Sequence, residues 1–372
     1  MFHISKKTGL DWYLNFIVIF LLTFSLITIY SLSLNDHASG LNNFHKQAIF
    51  LGISLVFYLF FAFYDYRLWK KYGGFLYFSG TILLLGVLWF GKNIRGTSGW
   101  FDLGFFNLQP AEIFKIFIIL ALAKYFSKSS SEKITLKSVA ISFIYIIIPF
   151  FFILKQPDLG SAAVILVIWV GMLFVSNLDK KFFIAILSIL LIFSFAGWKF
   201  ALKDYQKTRI ENFLNPQNDP LGAGYNVIQS TVAVGSGGFK GKGMGQGSQS
   251  QLNFLPEKHN DFIFAAIAEE NGFIGASMII MAFIFLFFRL YVIALNSKDL
   301  FGQLIISGLM IMFFFHILIN IGMNLGMMPV AGLSLPFLSY GGSFLVVSMS
   351  GLGLAQSVWK RRRKDELSTI LD

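Results

Sequence analysis

Ionisable side chains are concentrated in one otherwise apolar stretch of the chain, LPEKHNDFIFAAIAEENG, which runs from Leu255 to Gly272. They are Glu257, Lys258, His259, Asp261, Glu269 and Glu270. A carboxylate with cations nearby can take the proton from a sugar hydroxyl while the cations hold a lipid diphosphate. The same groups could also relay protons in coupled transport. The residue types therefore leave an enzyme and a transporter open.

A second charged group lies in GTSGWFDLGFFNLQPAEIFKIF, residues 96–117. Its proline suits the first turn of a helix, and Glu112 and Lys115 then lie three residues apart on one face. The pair can neutralise each other, or the carboxylate can orient the ammonium toward an anionic headgroup. Lys92 and Arg95, just upstream, would add positive charge at the same depth, and both also fit ordinary solvated loop positions.

Two further stretches combine polar residues with turn-forming ones. KQPDLG, residues 155–160, predicts a tight turn in which Asp158 is either a turn residue or a polar group of the site. SLPFLSYGGS, residues 334–343, contains a proline and paired glycines and predicts a broken or re-entrant segment. Non-helical backbone at membrane depth is tolerated only against protein or a wet cavity. We therefore expect this segment to wall a pocket.

Spacing separates the acids of the opening stretch. Asp261 falls at the expected start of a helix, where an N-cap role would by itself explain an aspartate. Glu269 and Glu270 lie roughly 12 Å further along the axis, and consecutive helical residues point about 100° apart. At most one of these two can therefore face the same cavity as Asp261. We expect five groups to converge at one depth: Glu112, Lys115, Asp158, Asp261 and either Glu269 or Glu270.

The composition places these groups in a membrane protein. Of 372 residues, 56% are hydrophobic and 13% are charged, whereas soluble domains average about 25% charged residues. The net charge of +11 is concentrated in short loops, which is typical of membrane topology signals and argues against nucleic-acid binding. The chain has no cysteine and five scattered histidines, so its sequence indicates neither thiolate nor His-rich metal sites.

Ten apolar segments predict an all-α polytopic fold that forms a single membrane domain over residues 1–372. The segments lie near 12–33, 46–64, 74–91, 110–126, 138–154, 160–176, 182–198, 262–288, 301–326 and 340–359. Lysine and arginine are abundant in the loops on one side and sparse in the short loops on the other, which predicts that both termini are cytoplasmic. The first segment lacks a small-residue cleavage pattern, so we expect it to be retained. A basic tail, about 360–372, would follow the last helix.

One large extracytoplasmic loop, about 199–261, is predicted between the seventh and eighth helices. Its first half could hold short amphipathic helices. Its second half, GSGGFKGKGMGQG, is glycine-rich but lacks the preceding strand and following helix of a phosphate-binding P-loop. We therefore expect a flexible hinge or lid there.

Four motifs, in order, resemble the SEDS family (shape, elongation, division and sporulation) of RodA and FtsW peptidoglycan polymerases. They are FDLGFFNLQPAEIFK, QPDLGSA, GKGMGQGSQSQLNFLPEKHNDFIFAAIAEENG and PVAGLSLPFLSYGGS. The resemblance covers nearly the whole chain, and the last two motifs are more similar to the elongation branch. It implies a glycosyltransferase that polymerises lipid II at the outer face of the cytoplasmic (inner) membrane.

The resemblance also implies residue roles. The family's H-T-D-F motif falls on HNDF, residues 259–262, which makes Asp261 the catalytic general base, with asparagine in place of the family's threonine. Many members carry an arginine directly before Trp100, where this chain has Gly99, so a phosphate role would pass to Arg95 or Lys115. The residues predicted to bind substrate or diphosphate are Glu112, Lys115, Arg95, Gln109, Asp158, His259, Glu269 and Ser343.

The same resemblance implies ligands and partners. Lipid II and an undecaprenyl-diphosphate-linked glycan would be the substrates, bound with or without a divalent cation, Mg²⁺ or Mn²⁺, and without an organic cofactor. A class B penicillin-binding protein with transpeptidase activity and proteins of the elongation complex would be the partners. A lipid II flippase, or lipid-linked sugar transporter, is the competing hypothesis because the same charged cavity could serve it.

Overall fold

The computed structural model describes residues 9–34, 41–94, 96–104, 106–129, 135–176, 178–189, 204–215, 217, 219 and 224–362. Within these ranges the chain is predominantly helical. The helices are α1 (Trp12–Ser33), α2 (Asn42–Phe63), α3 (Tyr66–Phe90), α4 (Pro110–Phe126), α5 (Leu136–Lys155), α6 (Leu159–Val175), α7 (helical over residues 180–189), α8 (Asp204–Leu214), α9 (Tyr225–Ser236), α10 (Ser248–Gln251), α11 (Ile263–Leu295), α12 (Leu300–Asn324) and α13 (Gly342–Lys360).

Long apolar helices confirm the prediction of a polytopic membrane protein. Seven of the described helices, α1, α2, α3, α5, α11, α12 and α13, are long and apolar enough to cross a bilayer. Helices α4 and α6 have 17 residues each, and α7 covers the predicted seventh segment as far as residue 189, beyond which that segment lies outside the described residues. Each of the ten predicted segments overlaps one of these helices. The count of ten crossings stays a prediction.

Helix α4 lies inside the bundle although it carries Glu112 and Lys115. Its residues are buried on nearly every side, and it packs against α3, α5, α6, α12 and α13. A helix with apolar residues on all its faces belongs in the interior of a helical protein. The two charged residues are thereby placed against protein groups and away from lipid, where an ionised side chain is most costly.

Aspartate side chains accept backbone N–H groups at the starts of four helices, at Asp11 for α1, Asp65 for α3, Asp158 for α6 and Asp299 for α12. Such caps satisfy donors that have no partner within the helix. Helix α11 differs, because it begins at Ile263 with Phe262 in the cap position and no side-chain cap bond from that residue. The N-cap position that was expected for Asp261 is therefore held by Phe262.

A small antiparallel sheet connects α3 to α4. Its strands, in the order β1-β2-β3, are β1 (Lys92–Ile94), β2 (Thr97–Asp102) and β3 (Asn107–Leu108). The sheet leads directly into α4, where Pro110 occupies the first turn as its position predicted. The sequence pattern had not predicted these strands, since each is too short to show a clear alternation.

The described part of the segment between α7 and α11 contains regular structure. Helices α8, α9 and α10 lie in it, and the first two confirm the short helices expected there. In the glycine-rich part, the N–H of Lys242 donates to the carbonyl of Glu269 at 3.0 Å, and that of Gly243 donates to the carbonyl of Glu270 at 2.9 Å. Positive φ angles, which favour glycine, occur at Gly238, Gly241, Gly243 and Gly245. The glycines thus serve a defined backbone path packed on α11, and not the flexible hinge that we expected.

Replacing Gly241 with alanine is expected to destabilise this packing. Gly241 has a φ of +81°, and an added Cβ would lie 2.2 Å from the carbonyl oxygen of Glu270. We expect a loss of about 1–3 kcal/mol, measured as a lower melting temperature of the purified protein in detergent. Gly235→Ala is the matched control, because an added Cβ there has nothing within 4 Å. An unchanged melting temperature for Gly241→Ala would contradict the expectation.

Candidate active site

A cavity of about 280 Å³ opens where the sheet, the turn before α11 and the segment after α12 meet. Its wall includes three carboxylates, Glu112, Asp158 and Asp261, and one lysine, Lys46. Residues of α2, of the sheet and of the segment 331–344 complete the wall. The prediction that the SLPFLSYGGS segment walls a pocket is confirmed.

Glu112 and Lys115 form the ion pair that their spacing predicts. The ammonium of Lys115 lies 2.8 Å from each carboxylate oxygen of Glu112 and 3.1 Å from Nε2 of His316. An ammonium has three N–H donors, and these contacts occupy all three. Because Lys115 is completely buried, Glu112 faces the cavity and Lys115 lies behind it. The sequence analysis allowed the carboxylate of Glu112 to orient the ammonium of Lys115 toward an anionic headgroup. In the structure the two groups have the reverse order, because the carboxylate is the one that faces the cavity.

Asp158 links two helix starts at the cavity. One of its oxygens accepts the N–H of Ser161 at 2.9 Å, and the other accepts the side-chain amide of Gln109 at 3.0 Å. The backbone N–H of Gln109 donates to the hydroxyl of Ser343 at 3.3 Å, and that hydroxyl donates to the carbonyl of Asn107 at 2.9 Å. Three predicted site residues, Gln109, Asp158 and Ser343, are thus brought together. Asp158 thus caps a helix and also lines the cavity.

Asp261 lies in a turn whose backbone is hydrogen-bonded to α12 and to the segment that follows α12. The carbonyl of His259 accepts the N–H of Tyr340 at 2.8 Å, and the carbonyl of Asn260 accepts the hydroxyl of Ser339 at 2.8 Å. The carbonyl of Asp261 accepts two side-chain amides of α12, at 3.1 and 2.9 Å. Three successive carbonyls are anchored, so the main chain sets the position of the half-buried Asp261 carboxylate.

Glu269 and Glu270 are buried away from the cavity. Glu269 accepts a hydrogen bond from the ammonium of Lys242 at 2.8 Å. Glu270 accepts from the hydroxyl of Ser31 at 2.8 Å and from the side-chain amide of Gln251 at 2.9 Å. The expected convergence therefore holds for the three wall carboxylates, with Lys115 paired to Glu112. It is wrong in including one of Glu269 and Glu270, because both join the glycine-rich segment to α11 and α1.

The remaining predicted residues are Arg95 and His259. Arg95 lies outside the described residues, and His259 is buried without being among the wall residues. At Gly99 an added Cβ would lie 3.0 Å from Oε1 of Gln156, so a larger side chain would have to displace that amide. Lys46 is the functional candidate that the sequence analysis missed. No local sequence pattern shows that α2 brings Lys46 to the cavity.

The wall carboxylates do not form a metal site by themselves. Among the described residues, no group of three His, Asp or Glu side chains is close enough to hold a metal ion. Mg²⁺ is typically bound by one or two carboxylates together with substrate phosphates and water. A divalent cation would thus take its remaining ligands from a bound diphosphate and from water.

Removing the carboxylate of the buried pair while keeping the ammonium is expected to destabilise the protein strongly. Glu112→Gln leaves the charge of Lys115 buried without its counter-ion, which costs about 3–5 kcal/mol. The double variant Glu112→Leu with Lys115→Met replaces both charges by apolar groups and should recover most of that loss. Thermal unfolding in detergent measures both effects. A Glu112→Gln protein as stable as the wild type would disprove the importance of the pair for stability.

Two curated proteins are similar to the chain along nearly all of their length. Peptidoglycan glycosyltransferase MrdB of Escherichia coli (strain K12) is 36% identical over 357 residues, covering 96% of this chain and 95% of that protein. Peptidoglycan glycosyltransferase RodA of Treponema pallidum (strain Nichols) is 30% identical over 431 residues, covering 96% and 99%.

Two solved structures share the fold. A chain from a peptidoglycan synthase complex that coordinates polymerization and crosslinking has a TM-score of 0.81 at 33% identity, covering 96% of this chain and 99% of that one. The rod shape determining protein RodA of Thermus thermophilus has a TM-score of 0.73 at 28% identity, covering 97% and 100%. The family model for FtsW, RodA and SpoVE, described as cell cycle protein, matches residues 12–364. With that match over nearly its whole length, the chain belongs to the FtsW, RodA and SpoVE family.

Proposed function

We propose that the chain is a peptidoglycan glycosyltransferase that polymerises lipid II at the outer face of the cytoplasmic membrane during cell elongation. Relatives named peptidoglycan glycosyltransferase support the reaction class. The observation that carries the proposal is the cavity, which places Asp261 in one wall with Lys46 and Glu112. A carboxylate and an ammonium in one pocket suit the deprotonation of a hydroxyl beside a bound diphosphate.

In the proposed reaction, the C4 hydroxyl of the N-acetylglucosamine of one lipid II attacks the anomeric carbon of the growing glycan. The new carbon–oxygen bond forms while the bond from that carbon to the undecaprenyl diphosphate breaks, with inversion at the anomeric carbon. The diphosphate leaves with the electron pair, and Asp261 accepts the hydroxyl proton as general base. Such a base typically contributes about 10²–10⁴-fold to the rate. The anchored turn supports this role, because it holds the carboxylate in place before substrate binds.

Other wall residues suit the binding of the diphosphate and the sugars. Lys46 can meet a phosphate as a point charge. The N-terminus of α13, at Gly342 and Ser343, lies in the same wall, and the N–H groups of a helix start favour anions. Glu112 offers acceptors for sugar hydroxyls while Lys115 balances its charge. Lys115 would thus act on the substrate through Glu112.

The proposal includes an orientation and a partner. Since the basic loops predict cytoplasmic termini, the cavity would open on the extracytoplasmic side, where lipid II is consumed. A similar solved chain belongs to a complex that coordinates polymerization and crosslinking. We therefore propose that a class B penicillin-binding protein, which would crosslink the new strand, acts with this chain, together with other proteins of the elongation complex.

Asp261→Asn tests the proposed base. It keeps the size of the side chain but removes the proton acceptor, so we expect polymerisation of labelled lipid II by the purified protein to fall by about 10²–10⁴-fold. Asp102→Asn is the matched control, because Asp102 pairs with Lys92 at 2.8 Å in the exposed part of the sheet. The control should keep its rate, and both variants should keep the melting temperature. Near-normal glycan chains from Asp261→Asn would overturn the assignment.

The competing transporter is tested with the same protein in vesicles. It predicts that lipid II crosses the membrane while no polymer forms, and that added transpeptidase partner changes nothing. Glycan polymer from the purified chain would exclude transport as its sole activity. Lipid II movement without any polymer, with and without the partner, would overturn the proposed enzyme.

A further inference from the structure

The second half of α12 carries three buried polar side chains on one face. His316, Asn320 and Asn324 follow each other at intervals of four residues, and none exposes any surface. Residues four apart lie one above the other on a helix, so the three form a continuous stripe, which we call the polar stripe. A buried polar group costs free energy unless it is hydrogen-bonded. The partners of the polar stripe therefore indicate what it is for.

His316 connects the buried Glu112–Lys115 pair to the segment after α12, which forms part of the cavity wall. Its Nδ1 lies 3.0 Å from the carbonyl oxygen of Ser334, and its Nε2 lies 3.1 Å from the ammonium of Lys115. A carbonyl only accepts, so Nδ1 carries the proton, and Nε2 of the neutral ring accepts from Lys115. The ring also stacks on Phe344 with centroids 4.4 Å apart. Both the tautomer and the plane of the ring are thereby set.

Asn320 and Asn324 hold the turn of Asp261. The amide of Asn320 donates to the carbonyls of Asp261 at 3.1 Å and Leu333 at 2.8 Å. The amide of Asn324 donates to the carbonyl of Asp261 at 2.9 Å, and its oxygen accepts the backbone N–H of Ala265 at 2.9 Å. That N–H group lies in the first turn of α11. The N–H groups of a first turn have no acceptor within their own helix. Asn324 thus supplies, from α12, an acceptor for a backbone N–H at the start of α11.

We infer that the polar stripe is a positioning element for the site, because one helix face holds both the Glu112–Lys115 pair and the backbone of Asp261. The inference rests on the proposed function in assigning roles to these two groups. His316 and Asn324 are eight residues apart, about 12 Å along a rigid helix. The ion pair and the base therefore keep a fixed separation, and the segment 333–334 is tied to the same face.

The experiment compares four variants of the purified full-length chain. His316→Phe keeps the ring stack but removes both hydrogen bonds, whereas His316→Gln can still accept from Lys115 and donate to Ser334. Asn324→Leu keeps the branched shape of the side chain but removes the bonds to the turn. Ser142→Ala is the control, because Ser142 is equally buried and its hydroxyl bonds Val139 and Trp169 far from the cavity wall.

Two kinds of readout are measured for each variant, one of activity and one of local structure. The first is the rate of lipid II polymerisation as a function of lipid II concentration. The second does not depend on activity: labelling of Lys115 by a small amine-reactive reagent, and hydrogen exchange of the peptide that contains Ala265. Melting temperatures show whether each variant is folded.

We expect His316→Phe and Asn324→Leu to lower kcat by about 10- to 100-fold, with a smaller change in KM. His316→Gln should restore most of the rate, a rescue that a purely structural role would not predict. Labelling of Lys115 should rise in His316→Phe, and exchange at Ala265 should accelerate in Asn324→Leu. The control Ser142→Ala should change neither rate nor labelling.

Unchanged labelling and exchange in folded variants would overturn the inference, whatever the activity. Wild-type rates in both His316→Phe and Asn324→Leu would overturn it as well. If the wild-type chain forms no polymer, the proposed function fails, while labelling and exchange still decide whether the polar stripe positions Lys115 and the turn of Asp261.

Discussion

A fully buried ammonium group is the constraint on which the organisation of this protein depends. Lys115 lies in the interior of the bundle with no exposed surface, and an unpaired charge there would be very costly. Its three donors are used by Glu112 and His316, which join α4 to α12. The carboxylate that balances the charge becomes part of the cavity wall. The same carboxylate therefore stabilises the packing of the helices and forms part of the cavity wall.

The acids of the stretch 255–272 divide into two groups with different tasks. Glu269 and Glu270 are adjacent in sequence and point about 100° apart, so each needs its own partner. One faces Lys242 of the glycine-rich segment, and the other faces Ser31 of α1. Both hold neighbouring segments together near the cavity, and neither is part of the cavity wall. Asp261 alone of this stretch's carboxylates lines the cavity.

Local spacing made several features predictable, and contacts between distant parts of the chain made others unpredictable. The start of α4 at Pro110 and the pairing of Glu112 with Lys115 follow from helix geometry, so the sequence sufficed for them. An acceptor for a backbone N–H at the start of α11 comes from Asn324, nearly sixty residues further along the chain, and no pattern around Asp261 indicates this. His316 looked like a scattered histidine in an apolar helix, because only packing shows that it meets Lys115. The strands before α4 were missed since they are very short.

The longest helix consists of two helices joined at Gly272, whose φ of 64° and ψ of −162° are not helical. The C-terminal part, residues 273–295, is about 34 Å long. That length is close to the thickness of a hydrocarbon core, about 30 Å. The N-terminal part contains Glu269 and Glu270 and is packed on the glycine-rich segment. A bilayer of different thickness changes the tilt of a spanning helix. We expect Gly272 to absorb such a change, so that the geometry of the turn that carries Asp261 becomes independent of lipid composition.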